Sequence, residues 1–490
     1  MTAKKKTCAV IGAGVSGLAA AIRMHNKGYK VTVYEANSFP GGKCSSEEQD
    51  GYRFDMGPSV FTEPHLVDEL FVMSGKNPRD HFNYIKLDPV YRYFYEDGTM
   101  LDAWHGKEKF SEEMSARTGV PREDIARYLE KTKTVYDLTE EVFLQNSLHK
   151  LRNFFTWPVL RGFLNFGKIG AFDTMNGVNQ KAFSDPRMVK IFNRYATYNG
   201  SSPYLAPATL NVIAHVEIMK GAYYPIGGMV SITRSLAKLG ADIGVQFRYA
   251  TPVQEIIIEN KKAVGVRTGK GAENFDVVIS NMDVYNSYKK LMPGVKRPEK
   301  TLDQPKSSSG IIFYWGIKHD FKQLGLHNIF FAENYEEEFD TIFSKKKIYH
   351  DPTIYVNITS KHTPTDAPPG CENWFAFINV PNNQGQDWDA FIDEARENMI
   401  QKCNRILKTD IRPLIATEMV FDPRVIEKRT SSAFGAIYGN SSNNKFAAFL
   451  RHANFSKEIK NLYFCGGSVH PGPSIPLCLL SAKITTNLVK

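Results

Sequence analysis

Residues 7–35 read TCAVIGAGVSGLAAAIRMHNKGYKVTVYE, and this stretch decides the fold. The apolar run at 7–11 has strand character. Gly12-Ala13-Gly14-Val15-Ser16-Gly17 follows, and then the helix-prone Leu18-Ala19-Ala20-Ala21-Ile22. Gly28 closes that helix, and Val31 and Val33 alternate in a second strand ending at Glu35. A strand, turn, helix, turn and strand within about thirty residues is the order a dinucleotide-binding unit requires. Gly12 permits the tight turn, Gly14 lets the main chain approach a pyrophosphate, and Gly17 lets the helix pack closely on the strands. The helix N-terminus offers N–H groups and a positive dipole end to phosphates. Glu35 stands where its carboxylate accepts hydrogen bonds from a ribose diol, which argues against a bound 2′-phosphate. Lys4, Lys5 and Lys6 before an apolar stretch imitate a secretory leader, but the three glycines are better explained by the turn.

Working outward, Gly41-Gly42-Lys43 follows Glu35 after a short loop. It resembles the second glycine pair of the large flavoprotein family that includes amine oxidases and phytoene desaturases. The resemblance implies FAD rather than NAD, with Ala36 and Gly42 beside it and the Lys43 cation set to meet the diphosphate.

The chain is long enough for two or three domains with proper cores. Its 61 Lys and Arg against 52 acidic residues give a net charge of +9, spread without a basic block, so nucleic acid is not expected as a partner. A mildly basic surface also suits an anionic membrane. The six cysteines, Cys8, Cys44, Cys371, Cys403, Cys465 and Cys478, form no C-x-x-C pair; they predict neither a disulfide framework nor a zinc site but a reducing cytoplasm. No apolar run reaches the roughly 18 residues of a membrane span, and no metal-ligand cluster stands out.

The nucleotide-binding part is interrupted along the chain. Pro225-Ile226-Gly227-Gly228-Met229 opens a helix to about residue 239. Strands at 253–259 and 263–267 flank the turn Asn260-Lys261-Lys262, and a buried strand runs from Phe275 into the loop Asn281-Met282-Asp283. Runs at 90–94, 310–317, 352–359, 374–380 and 413–421 are rich in aromatic and β-branched residues and predict a mostly antiparallel sheet. A helix-rich stretch covers about 111–191. Within it, residues 151–168 (LRNFFTWPVLRGFLNFGK) mix large apolar side chains with spaced cations and no acids. That composition suits a membrane interface or a helical lid.

Near the C-terminus, strand-like Leu462-Tyr463-Phe464-Cys465 runs into Gly466-Gly467-Ser468-Val469-His470-Pro471-Gly472-Pro473-Ser474-Ile475-Pro476, followed by a helix. Such a turn places main-chain N–H groups and a dipole end against an anionic ring edge.

This segment resembles the C-terminal signature of the bacterial phytoene desaturase family. Phe54-Asp55-Met56-Gly57-Pro58-Ser59, Tyr195-Ala196-Thr197-Tyr198-Asn199-Gly200-Ser201-Ser202-Pro203 and Gly221-Ala222-Tyr223-Tyr224-Pro225 resemble further landmarks of that family, in order along nearly the whole chain. The family commonly has glycine where Ser474 stands and Thr at Ser468 and Val469. The form Gly-Gly-Ser-Val-His-Pro-Gly with Leu477-Cys478-Leu479-Leu480 is more like the hydroxycarotenoid 3,4-desaturase branch.

The resemblance implies an α/β (α+β overall) architecture. A discontinuous Rossmann-like FAD-binding domain would comprise 1–75, 225–298 and 455–490. An inserted substrate domain would cover 76–110, 205–224 and 299–454, and a helical membrane-facing subdomain 111–204. It further implies non-covalent FAD at Gly12, Gly14, Gly17, Glu35, Ala36, Gly42, Lys43, Gly57, Pro58, Ser59, Val60, Val253, Asn281, Met282, Gly466, Gly467, Gly472, Ser474, Ile475 and Pro476. The implied activity is dehydrogenation of a long (hydroxy)carotenoid by a cytoplasmic, peripherally membrane-associated enzyme, at the 3,4 bond of a 1-hydroxycarotenoid. A phytoene desaturase, a flavin-dependent carotene isomerase, an amine oxidase and a non-enzymatic prenyl-binding escort or GDP-dissociation-inhibitor-like protein are the alternatives. No residue is assigned as catalytic base: His470 reads as a structural hydrogen-bonding group, His25 and His65 as surface or helix residues, and Tyr195, Tyr198 and Tyr204 as channel lining or core. A covalent flavin link to Cys465 is not expected.

Overall fold

The first strand and helix form over Thr7–Ile11 and Val15–Asn26, in a computed structural model that describes residues 5–140, 149, 173–444 and 450–490. The helix is alanine-rich for a packing reason. Ala19, Ala20 and Ala21 have no exposed surface, because helices Val230–Ile243 and Ile475–Leu488 press against it. Larger side chains there would push the three helices off the sheet.

That sheet is five-stranded and all-parallel, in the order Leu462–Phe464, Val277–Ser280, Thr7–Ile11, Lys30–Tyr34, Gln246–Arg248. Its strands come from three distant pieces of chain, as the interrupted sequence reading expects. Strand alternation sorts the two faces. Cys8 and Val10 pack under the helices. Ala9 and Ile11 pack with Ile256, Ala263 and Val266 of a second, three-stranded antiparallel sheet, formed by Val253–Glu259, Lys262–Thr268 and Gly271–Asn274. The expected Rossmann-like architecture is present. The helix expected to reach residue 239 runs one turn further, to Ile243.

The other large sheet has seven strands, in the order Ile415–Phe421, Ser309–Ile317, Glu372–Val380, Ile354–Ile358, His327–Phe330, Tyr91–Phe94, Met100–Ala103. It is mostly antiparallel. The pairing of His327–Phe330 with Tyr91–Phe94 is parallel, and that four-residue strand escapes the sequence pattern because it is too short to show alternation. Ser309–Ile317 is buried along its whole length because both faces are covered. Ile311, Phe313 and Trp315 meet helix Trp388–Leu407, while Ile312 and Tyr314 pack with Phe54 and Phe375 on the opposite face.

The expected helix-rich region contains helices Lys107–Thr118, Arg122–Thr139, Met175–Ala182 and Pro186–Asn193; the interfacial candidate 151–168 lies outside the described residues. Among the described residues no helix is long and apolar enough to cross a membrane. We propose that the chain divides along these lines, into the three units given above, of which the first two are discontinuous.

Candidate functional site

One cavity of about 860 Å³ runs between the parallel sheet and the seven-stranded sheet. At one end Gly12, Gly14, Val15 and Ser16 line it, where the first strand turns into its helix. Gly12 sits at φ +95°, a conformation that any side chain would strain. A Cβ on Gly17 would stand 2.0 Å from the Gly12 carbonyl oxygen, so only glycine lets the helix begin this close to the turn. The helix starts without a side-chain cap and without an acid in its first turn. Its first N–H groups and positive end are therefore offered to an anion in the cavity.

The walls beside this turn come from the expected segments. Gly14 bridges Gly41, which lays the 41–43 turn across the start of the helix. The buried Glu35 carboxylate closes the second strand, accepting from Ala13 N at 2.7 Å and from Asn37 N at 2.8 Å. Ala36 and Val253 extend the same wall. Asn281 links the first turn to the last: its backbone N–H donates to Ile11 O at 2.8 Å and its Nδ2 to Cys465 O at 3.1 Å.

Of the twenty expected cofactor residues, all line this cavity except Gly17, Gly466 and Gly472. Those three stand behind it. Gly17 and Gly466 make room for Asn281, and Gly472 for Arg451. Lys43 sends its ammonium to the Ile437 carbonyl at 2.7 Å and faces Asp283. Burial lowers the Lys43 pKa and raises that of Asp283, each opposed by the charge of the other.

A further wall is the C-terminal turn, where Gly467, His470, Ser474, Ile475 and Pro476 line the cavity. The main chain of His470 is tied down, its carbonyl accepting from Asn454 Nδ2 and Ser481 Oγ, each at 2.8 Å. Ser474 caps the last helix, its Oγ accepting from Leu477 N at 3.3 Å, at φ +110° and ψ 160°. That conformation is nearly confined to glycine and costs a serine about 1–3 kcal/mol, more than a serine cap gains over glycine. Ser474→Gly is therefore expected to raise stability by up to about 1 kcal/mol, read as a higher unfolding midpoint; a fall would show that the cap outweighs the strain.

One wall residue, Arg451, escapes sequence reasoning. Arg451 is buried beside Gly467 and Gly472. Its hydrogen bonds among the described residues go to the carbonyls of Asn440, Tyr438 and Gly467, not to a carboxylate. Burial pushes its pKa down to about 10. Asp55 accepts from Met229 N at 2.8 Å and Val230 N at 3.3 Å. It thereby caps helix Val230–Ile243 and fixes the adjacent Gly57-Pro58-Ser59 loop in the wall.

Beyond that loop the cavity widens between apolar side chains including Val60, Leu210, Ile213, Ile329, Phe339, Phe375 and Phe377. Of the tyrosines that sequence left open, Tyr198 lines the cavity, whereas Tyr195 and Tyr204 pack in the core behind it. A phosphate-ready turn, a buried carboxylate for a ribose, a second glycine-rich turn and an apolar extension together fit a flavin dinucleotide with an apolar substrate beside it.

Known proteins agree. The family model described as flavin containing amine oxidoreductase matches residues 15–489. The 1-hydroxycarotenoid 3,4-desaturase of Flavobacterium sp. (strain P99-3) is 49% identical over 99% of each chain. The 4,4'-diapolycopene oxygenase of Methylomonas sp. is 32% identical over 98% of this chain and 97% of its own. Among solved structures, an oxidoreductase from Methanosarcina mazei superposes with a TM-score of 0.67 at 15% identity, over 98% of this chain and 100% of its own. Putrescine oxidase with bound putrescine reaches 0.64 at 14%, over 99% and 98%. Both share the fold.

Proposed function

The chain belongs to the flavin containing amine oxidoreductase family, and on that premise we propose that it is an FAD-dependent carotenoid desaturase forming the 3,4 double bond of a 1-hydroxycarotenoid. The near full-length 49% identity to a protein of that activity carries the reading. The cavity supports it: an apolar chamber opens directly beyond the dinucleotide-ready turn. FAD supplies the two-electron acceptor for removing hydride and proton from neighbouring carbons of the polyene.

The chain's own residues bind and orient. The N–H groups at the start of Val15–Asn26 would hold the diphosphate, Glu35 would accept from ribose hydroxyls, and Val253 would border the adenine. Arg451 and the turn at 466–476 set positive charge and N–H dipoles at the end where negative charge grows. Phe375, Phe377 and Ile329 exclude water and hold the polyene straight. FAD is held without a covalent bond: Cys465 packs in the core behind the turn, and burial pushes its thiol up to about 12. A substrate dissolved in lipid makes the enzyme a peripheral visitor to the membrane, with the aromatic and basic segment 151–168 as its docking face.

The test is product mass. Purified yellow protein incubated in air with 1-hydroxycarotenoid liposomes is expected to yield a product lighter by two hydrogens with one further conjugated double bond. Unchanged mass with altered polyene geometry would make it an isomerase. Protein that binds lipid but carries no flavin would make it a prenyl-binding escort.

A further inference from the structure

The apolar chamber has one polar wall that the reaction itself does not require. Ser59, Tyr91, Arg194, Tyr198, Glu217 and Tyr355 converge there from four separate elements and the loop that carries Ser59. Arg194 and Glu217 are almost completely buried and pair at 2.6 Å. A buried ion pair stabilises no better than apolar residues of the same size, and an apolar wall would suit a hydrocarbon better. What the pair does is aim tyrosines. The guanidinium lies 4.3 Å from the Tyr91 ring centre, Tyr195 Oη donates to Glu217 at 2.9 Å, and Tyr198 Oη donates to the other carboxylate oxygen.

Proton counting shows what is left over. Tyr198 spends its only hydrogen on Glu217, so at 2.9 Å Tyr91 Oη must donate to Tyr198 Oη. The Tyr91 oxygen then keeps lone pairs as an acceptor on the wall. Two strands away in the same sheet, Tyr355 Oη lies 2.7 Å from Ser59 Oγ and 2.8 Å from His327 Nδ1, a nitrogen that Asn357 Nδ2 also approaches at 3.1 Å. Burial keeps His327 neutral, its pKa pushed down to about 3. Ser59 Oγ pairs with Tyr355 and is itself a hydroxyl, able to donate or to accept on this wall. The Tyr91 and Tyr355 ring centres are 6.3 Å apart. The Tyr91 oxygen as acceptor and the Ser59 hydroxyl therefore line one cavity, partners for a single alcohol, which both donates and accepts.

We propose that Tyr91 and Ser59, held by Tyr198, Tyr355 and the Arg194–Glu217 pair, form the subsite for the hydroxyl group of the carotenoid end. The inference rests on the desaturase reading and deepens it. In a 1-hydroxycarotenoid the hydroxyl-bearing carbon is two bonds from the nearer carbon of the 3,4 bond. A subsite that places that bond must adjoin the flavin, and Ser59 belongs to the Gly57-Pro58-Ser59-Val60 loop of the cofactor wall. The polar wall also explains selectivity, since a site built to hydrogen-bond a hydroxyl disfavours the analogue that leaves it unpaired.

The experiment compares a 1-hydroxycarotenoid with the same polyene lacking the hydroxyl, in wild-type holoprotein and in the Tyr91→Phe and Ser59→Ala variants. Two readouts run in parallel: kcat/KM for desaturation, and equilibrium binding from the shift of the polyene absorption. The expected result is a hydroxyl preference in both readouts, reduced at least tenfold in each variant. If the variants lose both polyenes equally, or keep the wild-type preference, the subsite is overturned. If wild type prefers the alcohol in binding and the variants do not, yet nothing is desaturated, the subsite stands and the desaturase reading falls.

Discussion

Gly17→Val is expected to yield protein that purifies with less than about a tenth of the wild-type flavin. The reason is steric. A Cβ at residue 17 would meet the Gly12 carbonyl oxygen at 2.0 Å and the Asn281 side chain at 3.0 and 3.2 Å. All three contacts are to the turn and the loop that shape the phosphate end. The helix can only move outward, which carries its N–H groups away from the diphosphate. Overpacking of this kind costs roughly 1–3 kcal/mol or more, and here it falls on the cofactor cradle. Flavin content is read from the absorbance ratio of purified protein; full occupancy would show that the turn yields more easily than its geometry implies.

The second large effect is expected at Arg194. Arg194→Met leaves Glu217 as an unpaired buried charge and is expected to destabilise by about 3–5 kcal/mol. Pairing it with Glu217→Gln removes that charge while the amide oxygen still accepts from one of the two tyrosines that bond the separate carboxylate oxygens, Tyr195 or Tyr198. The double variant is expected to recover at least half of the loss, a non-additivity that denaturant unfolding of the four proteins measures. Additive losses would mean that the two residues act independently.

The contrast between these two sites shows how much the sequence could reveal. The turn at 12–17 is local: three glycines and a short apolar strand encode it within a dozen residues. The same holds for the C-terminal turn, for the Gly57-Pro58-Ser59 loop and for the break of the sheet into three chain pieces. The polar wall is not local. Tyr91 and Tyr355 look like ordinary strand aromatics. Arg194 stands in a short 3-10 turn, Arg194–Asn199, and Glu217 in a π-helical turn, His215–Lys220. Only the tertiary path joins them, so no spacing announces the cluster. A π-turn is a frequent companion of functional sites, but it cannot be read from six residues of sequence. Arg451 is hidden for a similar reason: its meaning lies in the glycines it leans on, Gly467 and Gly472. The sequence sets Lys43 to meet a diphosphate, and in the structure its ammonium donates to the Ile437 carbonyl. Sequence placed it in the right wall without fixing where it points.

The most direct measurement is an anaerobic visible spectrum of the flavin-loaded protein mixed with a 1-hydroxycarotenoid in liposomes. Bleaching of the oxidised flavin band together with a red-shifted polyene spectrum is the predicted result, since both follow from transfer of hydride out of a bond that then joins the chromophore. An oxidised flavin band that persists while the polyene is bound would contradict the account.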